Sequence, residues 1–187
     1  FPTGKRSEVI DGTRVSCVDV AMPMVIARAG DMGVTGYEPA AELTANTVLM
    51  NRIEAIRAAA GKRMGMGDVS RSVTPKFGLV APAREGGALA TRYFMPWDCH
   101  PSLAVTGSQC LAACMLADGT VCEGLTETQH ESPASLRLEH PTGMLEVVVE
   151  FERHGSDLSV QSCGLVRTAR KLADGRVHVP RSVWNGH

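Results

Sequence analysis

Short strand-like runs, apolar and only partly alternating with polar positions, occupy much of this chain, and they predict a protein built largely of strands. Such runs bracket Thr13–Val20, Pro23–Ala29, Lys76–Ala81, Ala88–Met95, Ser135–Glu139, Met144–Phe151, Leu158–Ala169 and Val177–Val179. In Met144–Phe151 the alternation is visible position by position. Leu145, Val147, Val149 and Phe151 share one face, with Glu146, Val148 and Glu150 on the other. Two stretches break the pattern with helical spacing. From Pro39 to Met64, Leu43, Leu49, Met50, Ile53, Ile56 and Arg57 form one stripe edged by charge, and Gly61, Gly65 and Gly67 end it. From Cys110 to Ala117 every side chain is Cys, Leu, Ala or Met, with no charge before Asp118. A helix apolar on all sides is buried on all sides.

The order is therefore strands, amphipathic helix, strands, buried helix, strands. Burying a helix all round requires a sheet that bends around it. The expected fold is α+β, in a single domain over residues 1–187. A curved mixed or antiparallel sheet wraps barrel-like around the central helix, and the amphipathic helix packs outside. Asp11-Gly12, Asp118-Gly119, Pro141-Thr142-Gly143 and Asp174-Gly175 fit hairpin connections. Asp19-Val-Ala-Met-Pro-Met24 joins two strand-like runs through a proline, which marks an edge, a bulge or a sharp turn.

The start of the buried helix is where chemistry is expected. Thr106, Gly107 and Ser108 supply a turn there, and Ser or Thr is a natural N-cap. Free backbone N–H groups and the positive end of the helix dipole make such a start an anion site. His100, Lys76 and Arg92 are the cationic or polar side chains that could join it. The same residues also read as a core helix with an ordinary cap, and as surface charges satisfied by water. Other motifs fail. Gly4-Lys5-Arg6 lacks the spacing of a phosphate loop, and Gly65-Met-Gly67 follows a helix where a dinucleotide fingerprint needs a strand. Ser108 as a nucleophile would have only His100 as a nearby base in the sequence.

Composition narrows the partners. Nineteen Lys and Arg against twenty Asp and Glu give a formal charge of -1, so neither nucleic acid nor a membrane surface is expected. No apolar run approaches the roughly 20 residues that span a bilayer. The N-terminus, Phe1-Pro-Thr-Gly-Lys5, has neither a signal-peptide core nor an initiator Met. It reads as a piece of a longer, cytoplasmic protein. Six cysteines (Cys17, Cys99, Cys110, Cys114, Cys122 and Cys163) are sparse for this length and are expected to be reduced. Cys99, His100, Cys110 and Cys114 contain no Cys-x-x-Cys pair, and a buried helix leaves zinc no open position, so no metal is expected.

Several motifs in this order resemble one family. They are Phe1-Pro-Thr-Gly4, Val15-Ser-Cys-Val-Asp-Val-Ala-Met-Pro-Met-Val25, Asp31-Met-Gly-Val-Thr-Gly-Tyr-Glu38 and Glu54-Ala-Ile-Arg-Ala-Ala-Ala-Gly61. Pro75-Lys-Phe-Gly-Leu-Val-Ala-Pro82, His140-Pro-Thr-Gly143 and Val166-Arg-Thr-Ala-Arg-Lys-Leu172 continue the match. Together they are similar to the family of 2-methylaconitate cis–trans isomerase and 4-oxalomesaconate tautomerase, over essentially the whole chain. The Asp-Val-Ala-Met-Pro form is nearest the tautomerase.

The resemblance implies a diaminopimelate epimerase-like fold of two similar domains with the active site between them. Family members are about twice this length, so the chain corresponds to the C-terminal half. The Lys and Cys that move protons in the family belong to the other half, and no catalytic residue is assigned here. The epimerase Cys-Gly-Ser/Thr-Gly turn falls on Val105-Thr-Gly-Ser108, which puts Val105 at the thiol position and leaves a carboxylate cradle at Thr106, Gly107 and Ser108. The Asn of the epimerase Gly-Asn-Pro turn falls on Met22, and His100 precedes the cradle. Substrate-binding residues are therefore expected at Thr106, Gly107, Ser108, His100, Met22 and Lys76.

The implied activity is keto–enol tautomerisation of 4-oxalomesaconate, without metal or organic cofactor. A cis–trans isomerase of 2-methylaconitate type and a non-catalytic domain for small tri- or dicarboxylates are the alternatives. A lone half would cover its open cleft face by pairing into a homodimer.

Overall fold

In a computed structural model describing residues 1–127, 131–155 and 157–186, eight strands form one sheet in simple chain order. They are β1 (Glu8–Ile10), β2 (Thr13–Asp19), β3 (Pro23–Arg28), β4 (Lys76–Ala81), β5 (Leu89–Phe94), β6 (Ala134–His140), β7 (Gly143–His154) and β8 (Asp157–Leu165). Three helices join them: α1 (Ala40–Ala45), α2 (Thr47–Arg63) and α3 (Val105–Leu116). The mixed sheet follows from the connections. Turns and loops without a crossover give antiparallel neighbours, whereas β3/β4 and β5/β6 are parallel because a helical crossover separates each pair. Asp11-Gly12 is a two-residue turn with φ of 47° and 71°, and it closes the β1–β2 hairpin with Ile10 opposite Thr13. Pro141-Thr142 does the same between His140 and Gly143.

The central helix is buried as expected. Cys110, Leu111, Ala112, Cys114 and Leu116 are sealed in a core with Met24 and Ile26 of β3, Tyr93 of β5 and Val147 and Val149 of β7. Helix α3 touches β2, β3 and β4 at one end of the strand order and β7 and β8 at the other, so the sheet bends around it. It does not close. Strands β1 and β8 keep free edges, and a cavity of about 360 Å³ remains where Val18, Asp19 and Val20 face Leu158, Ser159 and Val160 across Ala113. On the opposite face, Leu43, Leu49, Ile53, Ile56 and Ala60 of α1 and α2 pack on Val25, Ala27, Phe77, Leu79 and Phe94.

Four sequence expectations change. The amphipathic stretch is two helices, because Asn46 leaves helical geometry and caps α2 by accepting the Leu49 N–H at 3.0 Å. The strand expected over Leu158–Ala169 stops at Leu165, and Val177–Val179 is not a strand. Val166 N–H still donates to Glu146 O of β7 at 3.1 Å, but residues 167–186 form no strand, and Leu172, Val177, Val183 and Trp184 stand exposed along them. Asp118-Gly119 follows a helix and Asp174-Gly175 lies in that irregular segment, so neither closes a hairpin.

The loop between β4 and β5 hangs on one carboxylate. Glu139 of β6 is buried and accepts N–H groups from Arg84, Glu85 and Gly87 at 2.6–3.1 Å. Burial opposes its charge, but these donors and Arg92 outweigh it and hold the carboxyl below the ordinary glutamate value. A lowered folded-state value gives stability that is present above the unfolded value and lost as pH falls through the folded one. Unfolding midpoints measured on acidification should therefore drop more steeply in the native chain than in Glu139→Gln, and parallel curves would remove this role.

Candidate functional site

Helix α3 begins one turn earlier than its apolar run, at Val105, and Ala104 occupies the N-cap with no side-chain cap. Alanine offers no acceptor there. The N–H groups of Val105, Thr106 and Gly107 therefore have no acceptor among the described residues. The expected set of donors shifts by one residue. Ser108 N–H bonds to Ala104 O at 2.9 Å and its hydroxyl to Val105 O at 2.7 Å, so Ser108 sits buried inside the helix and does not present donors outward.

Met22 covers this open end. It lies in the turn from β2 to β3, ahead of Pro23, the first residue of β3, a position where proline costs no ladder bond. Its sulfur accepts the Thr106 hydroxyl at 3.2 Å and the Tyr93 hydroxyl at 3.7 Å, and its carbonyl accepts the Cys110 thiol at 3.1 Å. A thioether is a weak acceptor that a carboxylate oxygen would outcompete.

Tyr93 is the residue that sequence reasoning missed. Its ring packs against the first turn of α3, and a Cβ on Gly107 would lie 2.4 Å from Tyr93 Cε2. Gly107 is thus a close-approach glycine. Burial, reinforced by Cys110, pushes the Tyr93 phenol up to about 12, which keeps it a proton donor. The signal was available: Tyr93 is the one hydrogen-bonding aromatic in β5, two strands from the turn that carries Met22.

The other expected residues divide. His100 stands edge-on to Tyr93 with ring centroids 6.1 Å apart, and its N–H donates to Tyr93 O at 2.7 Å. Its Nδ1 accepts the Ser102 N–H at 2.9 Å, so Nε2 carries the proton of the neutral ring. His140 joins this rim through Ser102 Oγ at 3.4 Å, and burial together with His100 and Arg92 holds it below the ordinary imidazole value. Lys76 opens β4 opposite Met24 and has no ion pair among the described residues; burial and then Arg57 lower its value. Among the described residues, no hydrogen bond or ion pair joins Lys76 to the helix end. Arg92 is not part of this site. It leaves β5 on the face opposite Tyr93, where Nε donates to Glu38 O at 2.7 Å, and it lines a cavity with Tyr37, Arg84 and Glu139.

Among the described residues, no group of three His, Cys, Asp or Glu side chains is arranged to hold a metal ion. No helix there is long and apolar enough to cross a membrane.

A sequence model of the PrpF protein family matches residues 1–180. The chain belongs to the PrpF family. It is 43% identical over 186 residues to a Pseudomonas putida protein named 4-oxalomesaconate tautomerase, covering all of this chain and 50% of the relative. It is 40% identical over 179 residues to the (4E)-oxalomesaconate Delta-isomerase of Novosphingobium sp., covering 96% of this chain and 49% of the relative. The PrpF chain described here thus spans about half the length of the curated relatives it matches. In fold it is similar to the crystal structure of a methylitaconate-delta-isomerase, with a TM-score of 0.76 at 22% identity over 88% of this chain and 50% of that one.

Proposed function

We propose that this chain is the C-terminal half of a cytoplasmic isomerase acting on an unsaturated tricarboxylate, and that the amino end of α3 binds one substrate carboxylate. One observation carries the reading: three backbone N–H groups at an uncapped helix end, flanked by the Thr106 and Tyr93 hydroxyls under a displaceable thioether. The two oxalomesaconate relatives favour keto–enol tautomerisation of 4-oxalomesaconate as the reaction. Likeness to a diaminopimelate epimerase-like domain is part of the same proposal. So is docking of the segment 166–186 on the other half, which would cover Leu172, Val177, Val183 and Trp184.

The chemistry needs a base to remove an activated proton and an acid to return it one allylic position away. The other half supplies those groups. This half contributes fixed dipoles, since a dienolate conjugated to the bound carboxylate gains negative charge that the helix end and the Tyr93 phenol are already oriented to receive. His100 and His140 shape the rim, and burial helps hold His140 below the ordinary imidazole value. Neither metal nor organic cofactor enters the scheme.

The test is steady-state kinetics on the intact enzyme with Thr106→Phe and Tyr93→Phe. Losing one such donor costs on the order of 3 kcal/mol of barrier, or roughly a hundredfold in turnover. Wild-type turnover in both variants would overturn the cradle. A substrate screen including 2-methylaconitate separates the tautomerase from the cis–trans isomerase.

A further inference from the structure

At the far end of α3, two thiols meet. Cys114 lies near the end of the helix, Cys122 follows the connection through Asp118 and Gly119, and both are at most 1% exposed. Their sulfurs are 3.6 Å apart in the one thiol–thiol hydrogen bond among the described residues. The backbone holds them there from several sides. Thr120 Oγ1 donates to the Cys114 carbonyl at 2.7 Å and accepts the Cys122 N–H at 3.3 Å. Ser16 of β2 accepts the Val121 N–H at 3.1 Å. Arg28 of β3 donates from Nε to Val121 O at 2.8 Å and from Nη2 to Glu123 O. The connection is thus bolted to β2 and β3, and the sulfurs stay in contact whatever their own bond contributes.

We propose that Cys114 and Cys122 form a reversible disulfide when a hydroperoxide reaches them, a clasp between the end of the central helix and the connection that follows. Closing from 3.6 Å to the roughly 2.05 Å of an S–S bond needs an approach of about 1.5 Å. Cys114 gives two electrons to the peroxide, whose O–O bond breaks, and it becomes a sulfenic acid while one water (or alcohol) leaves. Cys122 attacks that sulfur, the S–O bond breaks, and the hydroxyl departs as a second water carrying the Cys122 proton. Cys114 is the sulfur oxidised first. Burial opposes its charge, but the Cys122 thiol donates to it and, with the neighbouring Thr120 and Ser16 hydroxyls, holds it below the ordinary thiol value, whereas donating to Cys114 raises Cys122. Entry of the oxidant to these buried sulfurs requires local opening.

The experiment treats the purified chain with hydrogen peroxide, counts thiols in denaturant, and maps unreduced peptides by mass spectrometry. Two of the six thiols should vanish together, with the mass falling by two hydrogens and one linked peptide containing Cys114 and Cys122. Dithiothreitol should restore all six, and the melting temperature should rise by several degrees on oxidation and return on reduction. Cys163→Ser, which removes the half-buried thiol, should leave the linkage intact, and Cys122→Ser should abolish it. Should Cys122→Ser fail to fold, the wild-type and Cys163→Ser peptide maps decide. Six surviving thiols, a linkage to any other cysteine, or sulfinic acid at Cys114 would overturn the clasp.

Discussion

Gly107→Ala is expected to cripple the candidate site and loosen the fold together. The added methyl would sit 2.4 Å from Tyr93 Cε2 and 2.8 Å from Cδ2, well inside contact distance. Tyr93 cannot swing away, because it is buried between the sheet and α3. Either the ring leaves its rotamer or the helix start lifts off the sheet. Overpacking of this kind costs about 1–3 kcal/mol, and a ring in a sealed core belongs at the upper end. Alanine's better helix propensity returns at most about 1 kcal/mol. The net loss should be about 2 kcal/mol in urea denaturation. Turnover of the intact enzyme should fall on the order of a hundredfold, since an ångström of displacement at a positioned group has that effect. The cause is separable. If Tyr93 is the obstacle, Tyr93→Leu should relieve the stability loss of Gly107→Ala in a double-mutant cycle. An additive cycle, or a Gly107→Ala chain as stable as the native one, would show that the close approach is not what requires glycine.

The same contact explains where sequence reading succeeded and stopped. Lys76–Ala81 is a strand at the expected bounds, a near-continuous apolar run that the sheet buries on both faces. The buried helix was legible because eight residues without charge leave no solvent face. Its start was not. Thr106-Gly107-Ser108 has the composition of a cap, but Gly107 is inside the helix for the sake of a ring fourteen positions earlier in the chain and one element away. Side chains that converge from different elements leave no local trace, so the grouping of Met22, Tyr93 and Thr106 emerges only in three dimensions. Arg92 shows the opposite error. Its place in the strand preceding His100 brought it toward the site on paper, while the two-residue period of a strand sends it to the face opposite Tyr93. Val177–Val179 has strand composition but no partner, and pairing rather than propensity makes a strand.

Arg57 is the other position where a single change should be felt throughout, and it belongs to the apolar stripe of α2 for a physical reason. The side chain is fully buried, so its stem packs as a hydrophobe while the guanidinium collects acceptors at the far end. Nε and Nη2 grip the Glu54 carboxylate at 2.7 and 2.8 Å. Nη1 donates to Ser72 O and Thr74 O at 3.1 and 3.2 Å, and Nη2 also reaches Val69 O at 2.8 Å. One cation thus ties the segment that returns from α2 to the first residue of β4. Arg57→Met keeps the stem and removes the fork. Glu54 is partly exposed and can return to water. The three carbonyls lose a charged donor in a dry setting, and stability should fall by about 3–5 kcal/mol. Arg57→Lys should recover only part of this, since an ammonium cannot hold a carboxylate and three carbonyls in one plane. The change also reaches Lys76 at the start of β4. Arg57 is one of two influences, after burial, that lower Lys76, so a folded Arg57→Met chain should titrate Lys76 at higher pH, as NMR of the lysine side chain would report. A loss of stability under about 1 kcal/mol would mean that packing alone holds the segment, and that the guanidinium is there for its stem.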